Sequence, residues 1–97
     1  MKFIIIGCGR MGSGLARRLA LSHHDITVVD HDNLAFDRLG DGFSGKLVKM
    51  DAMDKNSFTM SGINTADGLA AVTGNDAVNI IVARAARQMF RVPKVIA

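Results

Sequence analysis

The segment Gly7-Cys8-Gly9-Arg10-Met11-Gly12 follows directly on the apolar run Phe3-Ile4-Ile5-Ile6 and opens a helix-like stretch. Glycines at this spacing constrain the chain to pass from strand through a tight turn into a helix. The first glycine lets the chain leave the strand, the second lets backbone approach a pyrophosphate, and the third lets helix and strand pack closely. Backbone N–H groups at the helix start, together with the helix dipole, suit phosphate oxygens. Such six-residue glycine patterns also arise in ordinary turns, so the flanking sequence carries the argument. It supplies a second strand, Asp25-Ile26-Thr27-Val28-Val29-Asp30, ending in an acid eighteen residues after Gly12. That is where the dinucleotide fingerprint has its ribose-binding carboxylate.

Asp30 is therefore the candidate acceptor for ribose hydroxyls; the competing reading is a solvated strand-end acid, or a cap for a helix opening near Asp32. His31 and Asp32 follow it, with no arginine or lysine close in sequence. A 2′-phosphate would meet negative charge there, which disfavours NADP against NAD. The same carboxylate would serve the ribose of ATP, ADP or AMP equally well.

Further along, apolar and polar residues alternate between strand and helix patterns. The first strand spans Lys2 to Ile6, and a helix runs from about Arg10 to Ser22 with Met11, Leu15 and Leu19 expected to face the sheet. After the second strand, a helix covers Leu34 to Leu39 and ends in the glycine-rich loop at Gly40, Gly42 and Gly45. A third strand covers Lys46 to Met50; Asp54 or Asn56 then caps a short helix through about Met60. The fourth strand is Gly68 to Val72, Thr73-Gly74-Asn75-Asp76 forms a turn and cap, and Ala77 to Phe90 form a helix apolar around nearly its whole circumference. Pro93 stops the chain and Val95-Ile96-Ala97 opens a fifth strand. Strands separated by helical crossovers imply an α/β, Rossmann-like doubly wound parallel sheet, truncated here after the fifth strand. The turns after the first four strands then place Gly7 to Gly12, Asp30, Asp51 and Thr73-Gly74 on one sheet edge, where such folds bind ligands.

A chain of 97 residues makes one domain, too short for a separate substrate domain. No uninterrupted apolar run approaches the roughly 20 residues of a membrane span. With strand one starting at Lys2 and a single cysteine, the expectation is a cytoplasmic chain with no signal peptide or internal disulfide. The net charge of +3 is scattered, and neither tyrosine nor tryptophan is present, which argues against nucleic-acid binding. His23, His24 and His31 read as loop histidines rather than metal ligands. Cys8, at a helix start that lowers thiol pKa, is either a redox-sensitive thiol or a small packing residue. The six methionines read as core filler.

Taken together, IIIGCGRMG, the VVD ending strand two, MDAMD, AAVTGNDAVN and VPKVIA resemble the N-terminal nucleotide-binding domain of potassium-transport regulators, the TrkA-N, KTN or RCK domains. The resemblance runs from Met1 to Ala97, and Val72-Thr73-Gly74-Asn75-Asp76 followed by Val78-Asn79 is its most specific part. It implies a non-catalytic cytosolic unit at the inner face of the membrane, binding NAD(H) first, with ATP or ADP as the alternative, and altering the gating of a membrane-embedded potassium channel or transporter. Carried over by position, Gly7, Cys8, Gly9, Arg10, Met11 and Gly12 would contact the pyrophosphate, Asp30 the adenine ribose, Asp51 and Ala52 the adenine side, and Thr73 and Gly74 the central part. Met50 stands where the family usually has glycine and would crowd the adenine end. The family continues beyond the fifth strand, and it assembles as dimers and rings. The apolar helix Ala77 to Phe90 is accordingly expected to be covered either by a second copy or by further chain. Two other readings stay open: the cofactor half of an NAD-dependent dehydrogenase, for which no acid or base candidate stands out, and an oligomerising module without ligand.

Overall fold

Five strands form one all-parallel sheet in the computed structural model, which describes residues 1–97. They are β1 (Lys2–Ile6), β2 (Asp25–Asp30), β3 (Lys46–Lys49), β4 (Gly68–Ala71) and β5 (Lys94–Ile96), in the spatial order β3-β2-β1-β4-β5. The chain winds outward from β1 to β3 and then returns to β4 on the other side of β1. The order thus reverses between β1 and β4, and the loops after those two strands part there. One face carries α1 (Arg10–Leu21) and a 3₁₀ segment, Asn33–Leu39; the other carries α2 (Asn56–Ser61), a 3₁₀ turn at Ile63–Thr65, and α3 (Asp76–Gln88).

Strand alternation builds the two cores. Ile4 and Ile6 point into the α2–α3 side with Val29, Val48, Leu69, Ala71, Val82 and Ala86. Ile5 points into the α1 side with Ile26, Val28, Ala16, Phe36 and Leu39. A central parallel strand covered on both faces must be apolar at every position, and Ile4, Ile5 and Ile6 are all essentially inaccessible. Burying each such side chain stabilises the fold by about 1.5–3 kcal/mol.

Several boundaries and one helix face differ from expectation. Gly12, Ser13 and Ala16 are the buried residues of α1, with Leu15 and Leu19 half-buried beside them, while Met11 is 72% exposed. The helix docks along the Gly12–Ala16 line, and Met11, about 100° round the helix from Gly12, turns outward. The segment Asn33–Leu39 is 3₁₀ rather than α, started by Asp32, whose carboxylate accepts the Leu34 N–H at 3.0 Å. The strands β3 and β4 each end one residue early, α3 starts at Asp76 and stops at Gln88, and the 3₁₀ turn after α2 has no counterpart in the sequence reading. On α3 the inward residues are Asn79, Val82, Ala83 and Ala86, leaving Ile80 and Ile81, and Met89 just after the helix, each more than half exposed. No helix is long and apolar enough to cross a membrane.

Candidate functional site

The turn between β1 and α1 is shaped by two of its glycines. Gly7 has φ +108°, and a Cβ there would lie 2.8 Å from the Val72 carbonyl oxygen. A Cβ on Gly12 would lie 1.9 Å from the Gly7 carbonyl oxygen, so the helix rests directly on the turn. Gly9 has nothing within 4 Å of where its Cβ would be, leaving the mouth of the turn open. The helix start behind it is bare: no side chain caps α1 and no acid stands in its first turn. By contrast, Asn75 caps α3 by accepting the Val78 N–H at 3.1 Å, with Asp76 beside it. The first N–H groups of α1 have no intrahelical acceptors, and they carry the positive end of the dipole.

Asp30 ties the end of β2 to this turn. Its Oδ2 accepts the Cys8 N–H at 2.8 Å and its Oδ1 accepts the Asp32 N–H at 2.8 Å, with His31 Nδ1 3.6 Å away. It is neither a free strand-end acid nor a helix cap, a role that falls to Asp32. A carboxylate has about four acceptor sites, so two remain for hydroxyl donors.

Asp51 is exposed after β3, its Oδ1 accepting the Met53 N–H at 2.7 Å, and Ala52 is half-buried beside it. The Met50 side chain is partly buried and packs against the α2–α3 core. After β4, Thr73 is bound into its own loop. Its N–H and hydroxyl both donate to Asn79 Oδ1, at 2.9 and 2.6 Å, and its carbonyl accepts Asn79 Nδ2–H at 3.0 Å. Gly74 is exposed and meets nothing within 4 Å. Asn79 is the residue sequence reasoning missed. Its signal was a lone polar side chain in register with Val82, Ala83 and Ala86 on the buried side of an apolar helix.

Cys8 is fully buried, and its Sγ donates to the Ala35 carbonyl at 3.3 Å. Burial, then the Asp30 charge, push its thiol above the ordinary 9.0, against the smaller pull of Arg38 and Arg17. Burial thus outweighs the lowering that a helix start brings, and of the two readings, redox-sensitive thiol or packing residue, the packing one fits. Stability is accordingly undiminished below the unfolded thiol value near 9.0 and falls as pH rises from there towards the folded value. Cys8→Ser should remove that alkaline slope in urea denaturation, and iodoacetamide at pH 8 should label the native chain far more slowly than the urea-unfolded one. Equal labelling rates would show a reactive thiol instead.

Arg10 is exposed at the mouth of the turn, and Met11 beside it faces solvent. His24 takes no part in this edge; its Nδ1 accepts from the N-terminal amine at 3.3 Å and its ring packs edge-on against Phe3. Because every strand pair is parallel, Gly7 to Gly12, Asp30, Asp51 with Ala52, and Thr73 with Gly74 all follow strand carboxyl ends on one edge. The bare helix start and the Asp30 carboxylate are joined there through the Cys8 N–H.

The family model described as the TrkA-N domain matches residues 3–97. This chain belongs to the TrkA-N domain family. A Trk system potassium uptake protein TrkA from Streptomyces coelicolor is 43% identical over 97 residues, which is 100% of this TrkA-N domain and 44% of that protein. The Trk system potassium uptake protein TrkA of Halomonas elongata is 41% identical over 101 residues, covering 100% of the domain and 21% of its own length. The domain thus spans less than half the length of the curated relatives it matches. Among solved structures, the Kef CTD of Shewanella denitrificans in an AMP-bound form superposes with TM-score 0.79 at 22% identity, over 99% of this domain and 58% of that chain. TunA, an NAD-dependent NDP-hexosamine 5,6-dehydratase of tunicamycin biosynthesis, superposes with TM-score 0.69 at 20% identity over 98% and 36%. These two likenesses establish a shared Rossmann-type fold.

Proposed function

We propose that this TrkA-N domain senses an adenosine nucleotide, NAD(H) first with ATP or ADP as the alternative, and couples its binding to potassium transport. The observation that carries the reading is the uncapped start of α1, opened by Gly9 and fastened through Cys8 to the Asp30 carboxylate. Phosphate oxygens fit the free N–H groups of that helix start, with the Arg10 guanidinium beside them. Ribose hydroxyls fit the unused acceptor sites of Asp30. The loops at Asp51-Ala52 and Thr73-Gly74 would flank the remainder, Asn79 holding the second of them in place. The carboxylates at this edge serve as acceptors for their own loops, which suits holding a ligand rather than moving a proton. We therefore read the domain as regulatory rather than catalytic.

In this reading the domain works in the cytoplasm, beneath a membrane-embedded potassium channel or transporter of the kind the curated relatives are named for. Ile80 and Ile81 on α3, with Met89 just after it, offer an apolar face for assembly with other copies. A nucleotide shifts the arrangement of such an assembly only by its differential affinity for two states. Calorimetric titration of the purified chain with NADH, NAD, ATP and ADP at fixed salt tests the proposal. Saturable binding of one of these classes is expected; a folded sample that binds none would leave an assembly module and overturn the sensing role.

A further inference from the structure

The glycine turn has a basic neighbour that the sequence does not announce. Arg10, Ser13 and Arg17 on α1 and Arg38 at the end of the 3₁₀ segment line a recess of about 390 Å³ that contains no apolar residue. Three guanidiniums around one recess repel one another, and none of them is ion-paired. Two are nonetheless held there by backbone: Arg17 Nη1 donates to the Arg38 carbonyl, and Arg38 Nη1 donates to the Cys8 carbonyl at 3.4 Å. A guanidinium carries five N–H donors, so each keeps several free. Ser13 is buried, and its Oγ is used on the Arg10 carbonyl.

Position gives the recess its meaning. Arg38 reaches the carbonyl of Cys8, whose N–H is held by Asp30. The cationic recess and the ribose acceptor therefore meet at one residue of the phosphate turn. Cations are lacking beside Asp30 in sequence, but the fold brings Arg38, from eight residues downstream, onto the Cys8 carbonyl of the adjoining turn, and Arg17, from the second turn of α1, onto the Arg38 carbonyl. That weakens the sequence argument against an extra phosphate near this ribose.

We propose that Arg17 and Arg38, with Arg10 at the rim, form a subsite for a terminal phosphate dianion carried by the nucleotide in the adjoining turn, beyond the phosphates that the turn itself would hold. Guanidiniums match such a group with paired, charge-assisted hydrogen bonds. The dianion has two sources, a ribose 2′-phosphate or the terminal phosphate of ATP, and the proposal rests on the nucleotide reading above.

The test is a set of calorimetric titrations at fixed salt comparing NADPH with NADH and ATP with ADP, on the wild-type chain, Arg38→Gln and Arg17→Gln. One of the two ratios should favour the extra phosphate by about tenfold or more in the wild type, the size of one charge-assisted hydrogen bond. In each variant that ratio should fall towards unity while NADH and ADP hold their affinity within about twofold, as expected for a loss confined to one subsite. The NADPH pair identifies a 2′-phosphate and the ATP pair a terminal one. Ratios near unity in the wild type, or unchanged in both variants, overturn the subsite. Inorganic phosphate, followed by amide shifts, separates the two ideas. Phosphate binding whose shifts centre on Arg17 and Arg38 and which Arg38→Gln abolishes supports the recess even where no nucleotide binds, an outcome that would remove only the sensing role.

Discussion

Gly12→Ala should cost this domain at least about 3 kcal/mol of stability, the upper range for forcing atoms into a packed site, whereas Gly14→Ala should stabilise it by up to about 1 kcal/mol. Both positions lie in α1, where alanine is the better helix former. The added methyl at Gly12 would sit 1.9 Å from the Gly7 carbonyl oxygen and 2.9 Å from its carbon, and 3.3 Å from Val72 Cγ2. The first two are backbone atoms of the turn and cannot swing aside. Relief requires lifting the helix off β1, which opens the Ala16 contact below. At Gly14 the same methyl meets nothing within 4 Å. For a domain this small, the Gly12 change should lower Tm by more than about 10 °C. Urea titrations of the two variants, followed by circular dichroism, check both signs at once. A Gly12→Ala protein as stable as wild type would mean that the helix does not rest on the turn.

That pair of glycines also shows which features were legible before the fold was known. Local backbone demands are written in short stretches, so GCGRMG, the apolar β1 and the acid ending β2 located three elements and the edge where they meet. The parallel order followed, because alternating strands and helices leave few other connections. Rotations about a helix axis are different. Met11 falls on the same stripe as Leu15 and Leu19, yet the contact at Gly12 decides which side docks, and that contact belongs to tertiary structure. The same limit hid Asn79, whose side chain makes three hydrogen bonds, all to Thr73 across a loop. It also hid the approach of Arg17 and Arg38 to the turn, since neither stands near Asp30 in sequence. The choice between a redox-sensitive and a packing role for Cys8 stayed open for a related reason: the helix start is visible in sequence, but the burial that outweighs it is not.

Asp30→Ala should weaken every adenosine nucleotide by about 100-fold or more, from the loss of two hydroxyl contacts to a carboxylate, and should also destabilise the free domain. The two effects have separate origins. The Cys8 N–H lies in a fully buried residue and would lose its only side-chain acceptor, which costs about 1–3 kcal/mol, while the exposed Asp32 N–H can turn to water. A fall in affinity could therefore reflect a loosened turn rather than a missing ribose contact. Asp30→Asn separates them. Its amide oxygen can still accept the Cys8 N–H and hold the turn, but its NH₂ cannot accept from a ribose hydroxyl, and the charge is gone. Thermal denaturation should place Asp30→Asn near wild type and well above Asp30→Ala. Calorimetry should show Asp30→Asn losing about tenfold or more in affinity for NADH and ATP alike. If Asp30→Asn instead binds both as tightly as wild type, Asp30 is the lock of the glycine turn alone, and the ribose must be held elsewhere. A loss confined to NADH, with ATP unaffected, would mean that the two nucleotides lie in different poses over the same turn.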